Sequence, residues 1–170
     1  MQAMTRHQCS DCGKLLIEPC GPPRAPVLLL AEFPGWYEIK SGIPWTGPAG
    51  KVLKDELRRV GIRFETCRAT NLWGHEKDTK TCDLSGHWQR TLIELQGRRA
   101  VLLMGSEVAT HFLGVAVSDV TGTFVQSPLL PKSVEVALAM YNPAIALHDR
   151  LGEVRLAISR FAAAVRGLDA

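Results

Sequence analysis

Two thiols spaced C-x-x-C, Cys9 and Cys12, stand in a short polar leader ahead of any regular element. Thiolates at that spacing can share a metal ion or an iron–sulfur cluster, or cycle as a redox pair. The motif precedes the first strand, whereas a thioredoxin-like pair follows a strand at a helix start, so metal or cluster ligation is the stronger reading. Cys20, Cys67 and Cys82 bring the cysteine count to 5, an odd number that does not suit a disulfide framework. The other chemistry-bearing side chains are one carboxylate, Glu32, and two amides, Asn71 and Asn142. Each falls at or near the end of a segment that reads as a strand.

Those segments follow from patterning. Val27 to Ala31 is short and continuously apolar, the signature of a strand buried on both faces. Residues 66–73, 100–104 and 134–140 supply three more strands, and 123–126 a candidate short one. Residues 49–60 form an amphipathic helix with Val52, Leu53, Leu57 and Val60 on one face and Gly61 closing it. Further helices run over 84–95, burying Trp88, Leu92 and Leu95, from Ser106 to Leu113, and over 151–165. Alternating strands and helices predict a three-layer α/β/α sandwich with a mostly parallel, four-stranded central sheet. Ligands collect beyond the carboxyl ends of such strands, and the edge receives Glu32, Asn71, Gly105 and Asn142. Between Glu32 and Gly50 lies a long loop holding Trp36, Tyr37 and Trp45, too aromatic for disorder and read as a binding loop.

With 170 residues, 46% hydrophobic and 22% charged, the chain suits one domain over 1–170, its leader spanning about 1–26. The longest apolar run is far short of the roughly 20 residues a membrane span needs. A polar N-terminus without a signal-peptide core points to an intracellular, cytoplasmic protein, expected as a monomer. A net charge of +3 permits a polyanionic partner without demanding one.

Four strings then carry a resemblance. Glu32-Phe33-Pro34-Gly35 is followed by Glu38, Gly42, Pro44-Trp45, Gly47 and Ala49-Gly50; Thr70-Asn71 ends the second strand; Leu103-Met104-Gly105-Ser106 precedes Ala109; and Tyr141-Asn142-Pro143-Ala144 follows the last strand. In order and spacing they resemble the motifs of the uracil-DNA glycosylase superfamily, in its iron–sulfur branch. The resemblance covers about residues 9–150. It implies a monofunctional glycosylase that hydrolyses the N-glycosidic bond of uracil or a related pyrimidine flipped out of DNA, single- or double-stranded. Glu32 would stabilise the sugar cation or orient a water. Asn71 would meet the donor and acceptor edges of the base, Trp45 would stack on it where the branch carries Phe, and the backbone around Phe33 would complete the pocket. Asn142 stands where that branch has histidine as donor to the departing base. The substitution leaves two readings, a slower or re-targeted glycosylase, or a module that binds the base without cutting it.

The same branch holds a four-iron four-sulfur cluster, implying ligands Cys9, Cys12, the residue four after Asn71, and Cys82. That third position is His75, as in the subfamily that crosslinks to uracil. The crosslinking loop of that subfamily is missing here, since only residues 76–81 intervene before Cys82. Three cysteines and a histidine suit zinc equally, and Cys20 is an alternative to His75. Cys67 is read as core; His87, His111 and His148 are read as surface or packing residues. Lys51, Lys54 and Arg150 are candidate phosphate contacts, and Ile145 or Leu147 a candidate wedge into the gap left by a flipped base.

Overall fold

The computed structural model describes residues 7–169; the first six residues of the expected leader lie outside that range. The elements run β1 (Val27–Ala31), α1 (Trp36–Ser41), α2 (Pro48–Arg59), β2 (Arg68–Asn71), α3 (Leu84–Leu95), β3 (Ala100–Met104), α4 (Ser106–Leu113), α5 (Val117–Val120), β4 (Thr123–Phe124), β5 (Val136–Met140) and α6 (Leu151–Leu168). Short 3-10 turns at Phe64–Thr66 and Pro143–His148 precede β2 and α6. The sheet order is β2-β1-β3-β5-β4, all parallel except β4, which runs antiparallel to β5.

Every residue of β1 and β3 is buried, because both faces of the sheet are covered. Alternation splits them: Leu29, Ala31 and Leu102 pack with Leu53 and Leu57 of α2 and Ile158 and Phe161 of α6. Leu28, Leu30, Val101 and Leu103 pack on the other side with Leu95 of α3 and Val108 and Phe112 of α4. These are the three layers that strand–helix alternation predicts. Among the described residues no helix is long and apolar enough to cross a membrane.

Four details depart from the sequence reading. The sheet has five strands rather than four, because the exposed pair Thr123–Phe124 adds an edge strand through backbone bonds that leave no apolar pattern. The second strand is shorter than 66–73, since Phe64–Thr66 winds into a 3-10 turn. The segment 32–50 is not one loop but contains α1 and the start of α2. Helix α3 turns His87, Thr91 and Leu95 inward, one residue every turn, while Trp88 and Leu92 are only half-buried. Its inner face meets the polar leader as well as the sheet, and apolarity alone did not reveal that.

Candidate active site and metal centre

Strands β1 and β2 end together, with Ala31 opposite Asn71. Strands β3 and β5 also end together, with Met104 opposite Met140, so Gly105 and residues 141–142 leave the sheet side by side. The four strand ends therefore meet at one edge. A cavity of about 510 Å³ opens there, lined among others by Glu32, Phe33, Trp45, Asn71, Asn142 and Leu147.

The Glu32 carboxylate is held on both oxygens. Oε1 accepts from the Glu107 backbone N–H at 2.9 Å, in the first turn of α4, and Oε2 accepts from Asn142 Nδ2 at 3.3 Å. The helix N-terminus thus lends unpaired N–H groups and its dipole to the anion. Gly105 makes the approach possible: its φ is +109°, and a Cβ there would stand 2.2 Å from Glu32 Cδ.

Asn142 is oriented by its other end. Its Oδ1 accepts from Ala144 N–H at 3.0 Å, capping the 3-10 turn, which leaves Nδ2 turned to Glu32. An amide nitrogen carries two hydrogens, so one remains for a ligand. Asn71 lines the same cavity, and among the described residues no group hydrogen-bonds its amide. A pyrimidine edge needs both its donor and its acceptor, and both stand free.

The aromatic wall is braced rather than loose. Trp45 is 7% exposed at a φ of +59°, and its indole N–H is buried without a partner among the described residues. Its carbonyl accepts from Lys54 Nζ at 2.8 Å, and its ring meets Phe64 edge-on at 6.0 Å. Glu38, buried at the start of the same segment, accepts from Gly47 N–H at 2.7 Å and so ties both ends of the loop together. Phe33 is exposed at the cavity mouth.

The candidate phosphate contacts are engaged inside the molecule. Lys51 pairs with Asp55, Lys54 with the Trp45 carbonyl, and Arg150 with Glu153 while lying 4.5 Å over Tyr141. Of the two wedge candidates, Ile145 packs on the core, whereas Leu147 is exposed at the cavity.

On the α3 side of the sheet the leader forms a tight turn. Cys9 N–H donates to the Lys14 carbonyl and Gly13 N–H to the Cys9 carbonyl, both at 2.8 Å, which presents Cys9 and Cys12 on one side. Asp83 caps α3 through Ser85 N–H and holds Cys82 just ahead of the helix. The sulfurs of Cys9 and Cys82 lie 3.6 Å apart, and Cys12 Sγ lies 3.3 Å from His75 Nε2. A second imidazole joins them: Cys82 Sγ is 3.3 Å from His87 Nε2. The ligand atoms of Cys9, His75, Cys82 and His87 all fall within 4.8 Å of one another, and all four residues are buried.

This corrects the surface-or-packing reading of His87, which is 2% exposed and faces the thiols. The available signal was its position five residues after Cys82, one helical turn in from a capped start. Burial lowers the His87 imidazole to about 4. Burial opposes ionisation of both thiols of the pair, but at Cys9 the backbone N–H groups of Asp11 and Cys12, together with hydrogen bonds from His75 and Cys82, bring the thiol down to about 7. Cys82 rises, pushed by burial and then by Cys9.

Cys20 takes no part. It bridges to Ala69 by backbone and packs with the α2–α6 side of the core, the opposite face from Cys9 and Cys82. Cys67 is 2% exposed in that same core, where burial pushes its thiol up to about 11. His111 is half-buried against Trp88 and Phe112, and His148 is exposed.

The donor chemistry fits a metal. Three thiols and an imidazole, with Cys12 half-buried and Cys9, His75 and Cys82 buried, are borderline-soft ligands, and bonds of 2.0–2.3 Å set tetrahedral edges of about 3.3–3.8 Å. The indole N–H of Trp73, buried and without a partner among the described residues, lies on a ring 5.1 Å from that of His87. These residues could hold a metal ion or cluster.

A family model described as the uracil DNA glycosylase superfamily matches residues 18–165 of the chain, beginning after the Cys9–Cys12 pair. A protein of Thermotoga maritima named "Type-4 uracil-DNA glycosylase" is 25% identical over 138 residues, covering 76% of this chain and 70% of the relative. A protein of Archaeoglobus fulgidus with the same name is 24% identical over 140 residues, covering 75% and 70%.

Proposed function

The chain belongs to the uracil DNA glycosylase superfamily, and from that premise we propose that it is a monofunctional DNA glycosylase, hydrolysing the N-glycosidic bond of uracil or a related pyrimidine flipped out of DNA. The observation that carries the proposal is the cavity at the strand ends where Glu32, Asn71 and Asn142 converge. A base must leave the stack to be cut, and this cavity is concave, largely apolar and equipped with few polar groups, as a base pocket should be.

Cleavage develops positive charge on the sugar and negative charge on the departing base. Glu32, oriented by the first turn of α4, would face the cation or align the attacking water. Asn142, with its donor end outward, would give a neutral hydrogen bond to the base oxygen. Asn71 would read the base edge, Trp45 would flank the ring, and the backbone at Phe33 would close the pocket. No lysine lines the cavity among the described residues, which supports direct hydrolysis over Schiff-base chemistry. The similarity to two proteins named as type-4 uracil-DNA glycosylases supports uracil as the first base to test.

The reading includes a single domain acting as an intracellular monomer on DNA. It includes a metal centre on Cys9, Cys12, His75 and Cys82. Three thiolates, and the resemblance of their spacing to the iron–sulfur branch, support a four-iron four-sulfur cluster; the close spacing of the donors favours zinc as the alternative. When bound, the group pins the leader to the β2–α3 segment and to the start of α3. Analysis of iron, sulfide and zinc in purified protein separates the two.

The test of the activity is base release from oligonucleotides carrying uracil, thymine opposite guanine, hypoxanthine or 5-substituted uracils, in single and double strands, with Glu32→Ala as control. Release of one base that vanishes in the control is expected. No release from any substrate by fully metallated protein overturns the enzyme reading; binding of the same DNA would then leave a module that holds a base without cutting it.

A further inference from the structure

Two buried imidazoles face the same thiols, yet their hydrogen bonds are opposite in kind. His75 Nδ1 lies 2.6 Å from the Glu76 carbonyl oxygen, which can only accept. In the neutral ring the proton of His75 therefore belongs on Nδ1, which leaves the lone pair to Nε2, 3.3 Å from Cys12 Sγ. A carbonyl oriented this way is the usual partner of a metal-ligating histidine. His87 Nδ1 instead lies 3.1 Å from the Gly74 backbone nitrogen, which can only donate. Its lone pair is used there, the proton is on Nε2, and Nε2–H points at Cys82 Sγ across 3.3 Å.

We propose that His87 is not a ligand of the metal centre but its outer hydrogen-bond donor, a positioning residue whose Nε2–H holds the Cys82 thiolate. Ligation through Nε2 would move the proton to Nδ1, against the Gly74 N–H, setting donor against donor in a buried place. Gly74 is not free to turn away. Its carbonyl accepts from Ile17 N–H at 2.7 Å, anchoring the leader, and a Cβ at Gly74 would stand 2.0 Å from an Arg90 guanidinium nitrogen. The ring of His87 is also clasped, 5.1 Å from Trp73 and 4.6 Å from His75. A donor to the sulfur draws charge from the thiolate, steadies its orientation and, for a redox-active cluster, raises the potential by favouring the more electron-rich state. The ligand set is then Cys9, Cys12, His75 and Cys82.

The role rests on the metal-centre reading and not on the glycosylase one. The test compares wild-type holoprotein with His87→Asn, His87→Gln and His75→Asn. Asparagine can offer Gly74 its Oδ1 but stops short of Cys82; glutamine carries an N–H out to about the Nε2 position. His87→Asn is expected to purify with the wild-type ratio of metal to chain and to lose it to EDTA about 10–100-fold faster. His87→Gln is expected to restore retention, and His75→Asn to purify short of metal. A metal-poor His87→Asn beside a fully loaded His75→Asn makes His87 the ligand and overturns the proposal, as does wild-type retention in His87→Asn. Where a variant fails to fold, nitrogen-15 spectra of histidine-labelled wild-type holoprotein decide: an Nε2–H tautomer at His87 supports the role, an Nδ1–H tautomer ends it. Wild-type protein that holds no metal overturns the centre and this role together, whereas absent base release with full metal touches neither.

Discussion

Asn142 donates to Glu32 across 3.3 Å while its own carbonyl is held at 3.0 Å by Ala144 N–H. The two residues are 110 positions apart in sequence and leave different strands of the sheet, yet the amide cannot turn without losing a capping bond. Only its donor end can reach the cavity. That polarity is what a departing, electron-rich base oxygen requires, and it sets the first expectations.

Replacing Glu32 by alanine or glutamine removes the anion facing the sugar. Single-turnover base release should slow by about 10²–10⁴-fold, the usual contribution of a positioned catalytic carboxylate. DNA affinity, measured by anisotropy, should change little, since the residue lies inside the cavity.

Asn142→Ala should cost about 10²–10³-fold in kcat, as loss of one donor to a developing anion does elsewhere. Asn142→Asp should be worse near neutral pH and recover on acidification, because two carboxylates in this contact repel and one must take up a proton. A pH–rate profile that stays flat for Asn142→Asp would speak against the contact.

Gly105→Ala places a methyl group where Glu32 now lies and forces a non-glycine residue to a φ of +109°. Backbone strain of this kind costs of the order of 1–3 kcal/mol. The variant should both lower the unfolding midpoint and lose base release, whereas Gly152→Ala, with open space around its Cβ, should do neither.

Cys9→Ser and Cys82→Ser should each lose bound metal, read by elemental analysis and by the absorption spectrum. Cys20→Ser should keep the wild-type content, since Cys20 packs across the sheet from the other thiols. Loss of metal in Cys20→Ser would move the centre.

His111 carries a pH dependence. Burial lowers its imidazole below the ordinary value, so the fold favours the neutral ring. Its contribution is fully present above about pH 6.5 and is lost as pH falls from there towards the folded value, because the unfolded chain then binds the extra proton. Its buried Nε2 has no partner among the described residues. His111→Phe should therefore lose less stability than wild type between pH 7.5 and pH 5.5, measured by denaturant midpoints.

Much of this protein can be read from residue order alone. The continuous apolar runs of β1 and β3 announce strands covered on both faces, and Gly105-Ser106 announces the turn into α4. The convergence of Glu32, Asn71 and Asn142 follows from parallel strands, whose carboxyl ends must share an edge. The C-x-x-C pair likewise marks a candidate metal or cluster site without a fold.

Other features depended on contacts between distant segments. The candidate strand at 123–126 joins the sheet as Thr123–Phe124 because β5 has a free edge, and that antiparallel pairing leaves no mark on side-chain pattern. His87 looked like a helix-surface histidine because its partners, Gly74 and Cys82, come from the loop and cap that precede α3, and the leader closes over them. The roles of the two imidazoles rest on which backbone group each one meets, a carbonyl at Glu76 and an N–H at Gly74. Residue type and spacing determine what chemistry is available; which atom donates and which accepts is decided only when tertiary packing chooses its neighbour.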